Sequence, residues 1–358
     1  MRRRPVFPSG PIVLVLSGLL VASDAGAQSR WPTGSEFLAH GIGLTPAEST
    51  SLTRGETIAR ILRTAEGRDV AVFGAVQVNV PRSFFLERQR DLPRALRMPN
   101  RTQVQLFSQP ASAADVGAVS VSDDDVKELR DCKPNDCNFK LPATDMERVH
   151  TTIDLAAPDA KTSVATYARQ RMVEYVNDYR ARGNAAMVVY GDRGSVRSSD
   201  AFAAMLRDSS YAFSAVPSLG DHLLRYPGHT LPGGTDVVFW SRDEMPNLRP
   251  VMRITHQFIY SPTDVPDATL VAAKQIYANH YFEAGLEVLA AVDRATTSGP
   301  SGITVVAIRR YRFDHLPSGG VLNVRSRATK GLLDNVAADV ARMKRESEAA
   351  WAARRSND

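Results

Sequence analysis

The stretch Val70-Ala-Val-Phe-Gly-Ala-Val-Gln-Val-Asn-Val80 decides how the chain is read. Val70, Val72, Val76, Val78 and Val80 alternate with Ala71, Phe73, Ala75, Gln77 and Asn79. Strict period two predicts a half-buried β-strand. Gly74 marks a bulge or a close backbone approach, and Pro81 ends the run. Working outward, Ser83 to Leu92 reads as a short helix that offers Phe84, Phe85 and Leu86 to a core. On the other side, Ser51 to Thr64 reads as a short helix with Ile58, Ile61 and Leu62 on one face. Residues 28–50, rich in Pro, Gly and Ser, read as an irregular arm.

Residues 110–230 carry helix signals. Ser122 followed by Asp123, Asp124 and Asp125 is a helix start, with acids opposing the positive end of the helix dipole. Thr144 and Glu147 have capping-box spacing. Asp159 to Arg182 is the longest helical segment, with Val164, Ala168, Met172, Tyr175, Val176 and Tyr179 on one stripe and Gly183 as its stop. Met187 to Tyr190 reads as a short strand, and Ser199 to Ser209 and Ser218 to Tyr226 as two short helices. From Thr235 the pattern turns to strands: Val237 to Ser241, Pro250 to Tyr260, Thr269 to Asn279, Gly285 to Asp293 and Ile303 to Phe313. An Ala-rich helix through Ala272 to Val292 also fits; Gly285 and the β-branched content favour the strand pair with a turn near His280 to Ala284. Gly319-Gly320 closes a loop. Thr329 to Arg354 is an amphipathic helix with Leu332, Leu333, Val336, Val340 and Met343 inward.

This order predicts an α+β fold: an antiparallel sheet packed on a long C-terminal helix, with a large helical insertion, about residues 110–230, after the first strand. In that order of elements, across roughly residues 50–350, the chain resembles the helix-grip superfamily, which includes START and Bet v 1-like domains. The resemblance implies a sheet curled around the last helix and an apolar cavity between them. Cys132-Lys-Pro-Asn-Asp-Cys137 and Tyr277-Ala-Asn-His-Tyr281 are also similar to segments of secreted bacterial proteins without an assigned activity, which implies no function.

The 358 residues, 43% hydrophobic and 23% charged, exclude a disordered or collagen-like chain. The first 27 residues read as a signal peptide: Arg2 to Arg4, an apolar run from Ile12 to Ala22, then Ala25-Gly26-Ala27, with cleavage after Ala27. Residues 28–358 then form a single α+β domain, periplasmic or secreted, with no transmembrane segment. Without the leader's three arginines and Asp24, the balance is 41 basic to 38 acidic residues. With no basic block, nucleic acid is not an expected partner. In an oxidising compartment Cys132 and Cys137, joined by a Pro-Asn turn, predict a disulfide. A zinc site there would need two more ligands, and His150 is the only histidine within twenty residues. No metal site and no cofactor is expected.

The standard catalytic motifs are missing: no G-x-S-x-G elbow, no H-E-x-x-H, no phosphate loop and no EF-hand. The favoured function is therefore binding of an apolar or amphipathic small molecule, or a lipid, in an internal cavity. Met252, Phe258 and Tyr277 are expected to line it. His256 either orients the ligand or is a satisfied core residue. Arg309 either meets a ligand carboxylate or phosphate or pairs with Asp314, while Arg310 and Arg312 read as a solvated outer face. His280, beside Tyr281 and Glu283, is a further candidate. The alternatives are a periplasmic hydrolase or lyase using His280 with a carboxylate, and a non-catalytic envelope interaction protein.

Overall fold

The computed structural model describes residues 33–244, 248–294, 302–315 and 324–357. The expected leader, its cleavage point and the Gly319-Gly320 loop lie outside them. In chain order the strands are β1 (Ile58–Leu62), β2 (Asp69–Val78), β3 (Arg101–Leu106), β4 (Val189–Tyr190), β5 (Val196–Arg197), β6 (Thr235–Asp243), β7 (Val251–Tyr260), β8 (Ala268–Ala278), β9 (Phe282–Asp293) and β10 (Ile303–Phe313). The helices are α1 (Gly34–Glu36), α2 (Pro46–Thr53), α3 (Arg82–Arg90), α4 (Leu92–Ala95), α5 (Asp123–Asp131), α6 (Ala143–Thr152), α7 (Ala160–Arg182), α8 (Ser198–Arg207), α9 (Ser210–Phe213), α10 (Pro217–Arg225) and α11 (Val324–Arg355).

Eight strands form one antiparallel sheet in the order β1-β2-β10-β9-β8-β7-β6-β3, and β4 and β5 form a separate small ladder. The strands β6 to β10 run as a meander; β2 closes on β10, and β3 pairs with β6 at the opposite edge. The expected mixed fold, with a large antiparallel sheet and a C-terminal helix, is thus present. The strand pair β8–β9 replaces the Ala-rich helix that also fitted the sequence.

Both faces of the sheet are covered. On one, Phe73, Leu286, Val288 and Ile308 meet α2 and α8 to α10, while Trp240, Ile254 and Ile276 meet α7. On the other, Val72, Val76 and Val305 meet Val336 and Val340 of α11, and Phe85 of α3 packs with them. This corrects the half-buried reading of the Val70–Val80 run. From Val70 to Val76 its alternation is between valine and other apolar residues, and both sets are buried; only toward the end do Gln77 and Asn79 reach the surface. The coverage also corrects the reading of Arg310 and Arg312 as a solvated face; neither is exposed.

Local sequence explains the boundaries. Gly74 allows the close approach it suggested: a Cβ there would lie 3.1 Å from the Val336 side chain. Gly183 ends α7 with φ +57, and a Cβ there would overlap the Tyr226 carbonyl oxygen. Ser122 caps α5 with a reciprocal bond from Asp125. The expected helix over Ser51 to Thr64 instead ends at Thr53, turns at Gly55, and continues as β1 paired to β2. The spacing at Thr144 and Glu147 does not cap α6, which starts one residue earlier behind Pro142. No expectation covered β3, whose only apolar residues are Val104 and Leu106 and whose pairing comes from one neighbour.

Buried charges lock the layers. Asp69 is wholly buried and accepts from Arg310 at 2.6 Å and Arg312 at 2.7 Å. Arg310 also reaches Ser209 at 3.0 Å and Asp208 at 3.1 Å, tying β2 and β10 to the helical layer. Removing a buried partner strands the remaining charges, which costs about 3–5 kcal/mol. Asp69→Asn is therefore expected to lower unfolding stability by about 3 kcal/mol or more in urea titration; a loss below about 1 kcal/mol would refute the ionic lock.

Candidate functional site

The helical insertion builds a cavity of about 710 Å³ against β6, β7 and β8. The α7 stripe supplies Met172 and Tyr175, the sheet supplies Trp240, Ile254 and Tyr277, and Met187 closes one wall. Several polar groups here are already committed. The Trp240 indole donates to the Asp115 carbonyl at 2.8 Å, and the Tyr175 hydroxyl donates to the Ile276 carbonyl at 2.6 Å. The Tyr277 hydroxyl makes no hydrogen bond among the described residues, and burial pushes its pKa up.

The outer part of the cavity is charged and self-neutralised. Arg171 faces Asp145 at 3.2 Å and pairs with Glu174; Arg249 pairs with Glu128. Tyr167 donates to Asp145 at 3.0 Å, and burial together with that carboxylate raises its pKa to about 12. The disulfide between Cys132 and Cys137, with Cα atoms 4.5 Å apart, ends α5 beside this region. It is held to the sheet through Lys140, whose amide donates to the Asn279 carbonyl at 2.9 Å. Asn279 in turn accepts from the Met252 amide at 2.8 Å.

A second cluster lies on the same face, beyond Ile254. His256 on β7, His222 on α10 and Asp236 on β6 converge. The Asp236 Oδ1 lies 2.7 Å from His256 Nε2 and 2.8 Å from His222 Nε2. The far nitrogens are also held: His256 Nδ1 lies 2.8 Å from the Tyr179 hydroxyl, and His222 Nδ1 lies 2.6 Å from the His229 carbonyl. Phe258 packs against His222 with ring centroids 3.9 Å apart. Both imidazoles are fully buried, whereas the Asp236 side chain is 32% exposed. Burial opposes the Asp236 charge, but the two histidines outweigh it and hold its pKa at about 2. Burial pulls the His256 pKa down against the pull of Asp236. Lys274, opposite His256 on β8, donates to the Leu223 carbonyl at 3.0 Å and to Asn184, and burial lowers its pKa to about 7.

The six residues singled out in the sequence thus divide. Met252 and Tyr277 line the cavity. His256 and Phe258 do not; they belong to the His–Asp cluster, because the covering elements change from α7 to α10 along β7. Arg309 lies on the opposite face and meets Asp339 of α11 at 2.6 Å, not Asp314 and not the cavity. The alternation of β10 puts it there, beside Glu287 at 3.5 Å. His280 packs on Phe139 and donates from Nδ1 to the Asn138 carbonyl at 3.0 Å. Among the described residues it has no ion pair with a carboxylate, and neighbouring Glu283 is taken by Arg68 at 2.6 Å. The cavity also lies away from α11, between sheet and insertion, which departs from the arrangement implied by the helix-grip resemblance. Sequence reasoning missed His222 and Asp236; they belong to different elements, and the pairing of β6 with β7 brings Asp236 beside His256 while the packing of α10 on the sheet brings His222.

No family model, curated protein or solved structure matches this chain.

The buried bases give a pH signature. An unfolded lysine titrates at about 10.4 and an unfolded histidine at about 6.5. Where the folded value is lower, the unfolded chain binds more protons, so stability rises with pH. For His256 this gain is lost as pH falls below about 6.5. For Lys274 stability rises from about 7 toward the unfolded value. The urea midpoint is expected to climb between pH 7 and pH 9, and Lys274→Met should remove that climb while keeping the loss in acid. A wild-type midpoint that is flat or falling across this range would contradict a low pKa for Lys274.

Proposed function

We propose that the protein is an exported binding protein that holds a neutral amphipathic small molecule, lipid-like in character, in the cavity between α7 and the sheet. The observation that carries this reading is a largely apolar-lined cavity of about 710 Å³ whose sheet wall presents the Tyr277 hydroxyl, unpaired among the described residues. Known small-molecule pockets span roughly 300–1,000 Å³ and combine apolar walls with few polar groups. Met172, Met187 and Trp240 supply the walls, and flexible methionines adapt to irregular ligands. The charged rim favours an uncharged polar group on the ligand, because Arg171 and Arg249 are already balanced by Asp145, Glu174 and Glu128. Export is supported by the Cys132–Cys137 disulfide and by the leader-like residues 1–27. No helix among the described residues is long and apolar enough to cross a membrane. An enzyme built on His280 finds less support, since among the described residues that histidine has no carboxylate partner.

Native mass spectrometry of protein purified without detergent tests the reading. The expected result is an excess mass that solvent extraction removes. Ala168 lines the cavity, so Ala168→Trp should fill it and abolish the excess mass while the fold is kept. Tyr277→Phe should weaken rebinding about fivefold, the worth of one ordinary hydrogen bond of about 1 kcal/mol. A bare wild-type mass, together with no uptake of added fatty alcohols or monoacylglycerols, would remove the proposal.

A further inference from the structure

We propose that His222, Asp236 and His256 form a mononuclear site for a divalent transition-metal ion of the zinc class. The site is separate from the ligand cavity and does not depend on it.

The hydrogen-bond chemistry requires a cation at this point. The His229 carbonyl can only accept, so the His222 Nδ1 that faces it at 2.6 Å carries a proton. In a neutral imidazole the other nitrogen, Nε2, is then a bare lone pair. That lone pair faces the Asp236 carboxylate oxygen at 2.8 Å. Two electron-rich atoms at that distance repel unless a positive centre stands between them. Either a proton supplies it, making His222 an imidazolium buried among aromatic rings, or a metal ion does.

Three features favour the metal. His256 Nε2 converges on the same Asp236 oxygen at 2.7 Å, and all three donor atoms lie within 4.8 Å of one another. Without a metal the two contacts need two protons, one on each Nε2, whereas one metal ion serves all three donor atoms. Both far nitrogens are held by oxygen atoms, the His229 carbonyl and the Tyr179 hydroxyl, which aim both Nε2 atoms at the common point; this is the outer shell that metal-bound histidines carry. Finally, the site is closed on the histidine side and open on the carboxylate side. His222 and His256 are fully buried, while Asp236 is 32% exposed and its Oδ2 has no hydrogen bond among the described residues. Two imidazoles and one carboxylate with a solvent-facing position suit zinc or a neighbouring first-row ion.

Around a tetrahedral zinc the donors stand roughly 3.4 Å apart, given bonds of about 2.0–2.1 Å. Insertion therefore requires Asp236 to withdraw slightly, and its exposed position near the start of β6 permits that. Tyr226, stacked on Tyr179 and 4.3 Å from the His256 ring, and Phe258 against His222 keep both rings oriented.

Untagged protein, stripped with chelator and dialysed, is titrated with zinc against a colorimetric competitor, and the retained metal is counted by mass spectrometry. One equivalent is expected. Asp236→Asn, which keeps the shape and removes the charge, should weaken zinc at least tenfold with an unchanged circular dichroism spectrum. Tyr179→Phe, which touches no metal, should weaken it about tenfold through the outer shell. Cobalt loading of the wild type should give the visible bands of a nitrogen- and oxygen-bound ion, a readout that needs no variant. Zinc uptake that is absent, or equal in wild type and a folded Asp236→Asn, overturns the proposal and leaves a proton-held triad; so does cobalt-loaded protein without those bands.

Discussion

Asp69 is wholly buried and holds two arginines of the neighbouring strand, and the rest of the architecture depends on that constraint. The central strands β2 and β10, covered on both faces, offer their residues almost no water. A charge there is stable only with a counter-charge inside the protein, and Lys274 of β8, which has only neutral partners, is instead held with a lowered pKa. β10 shows this most plainly, since Arg309, Arg310 and Arg312 are all buried. The even-numbered pair meets Asp69 on the side of the insertion; Arg309 meets Asp339 on the side of α11. One strand therefore pins both covering layers. The same logic runs to the far edge, where Asp243 takes Arg101 at 2.7 Å as well as Arg253, and the two arginines outweigh burial and hold its pKa at about 2. Such pairs contribute little net free energy compared with apolar residues, but they penalise any other register or docking of the layers.

Element order was legible in the sequence because it rests on local periodicity. The β10 range follows from its β-branched and aromatic content, the end of α7 from Gly183, and the start of α5 from Ser122 and its acids. The inward stripe of α11, with Val336 and Val340 buried, follows from helical spacing. What local pattern cannot convey is what covers a strand. The Val70–Val80 run alternates cleanly, yet alternation between valine and alanine or phenylalanine is compatible with two buried faces, and as far as Val76 both are buried. β1 shows the opposite failure. Ile58, Ile61 and Leu62 suit a helix face, but pairing with β2 and the left-handed turn at Gly55 override that propensity.

The candidate sites were less legible, and for a geometric reason. The cavity draws its walls from α5 to α7 and from β6 to β8, so no single segment carries its signature. Met252 and Tyr277 were found because each lies on a strand whose alternation is readable. The His–Asp cluster needs residues 222, 236 and 256, spaced as no short motif would space them. His256 drew notice for lying among apolar residues; its partners sit on two other elements. The sequence did contain one usable sign: Asp236 stands directly before the apolar run Val237–Trp240 near the start of β6.

Helix α7 joins these two regions physically. Met172 and Tyr175 face the cavity, Val176 packs between, and Tyr179 reaches His256. A helix that serves a cavity, a dry core and a polar cluster along one stripe cannot rotate without losing all three. Its position is held at both ends. Arg169 donates to the Val119 carbonyl from one side, at 2.7 and 3.0 Å, and Asn177 exchanges hydrogen bonds with the backbone of Ala111 at 2.9 and 3.1 Å. At the other end, Gly183 admits the Tyr226 carbonyl where any side chain would collide. The loop that Tyr226 opens then leads to His229, whose carbonyl fixes His222. The glycine that stops the helix and the carbonyl that sets the histidine tautomer are thus parts of one packing arrangement, which is why the cavity can stay open beside a cluster whose three donor atoms lie within 4.8 Å of one another.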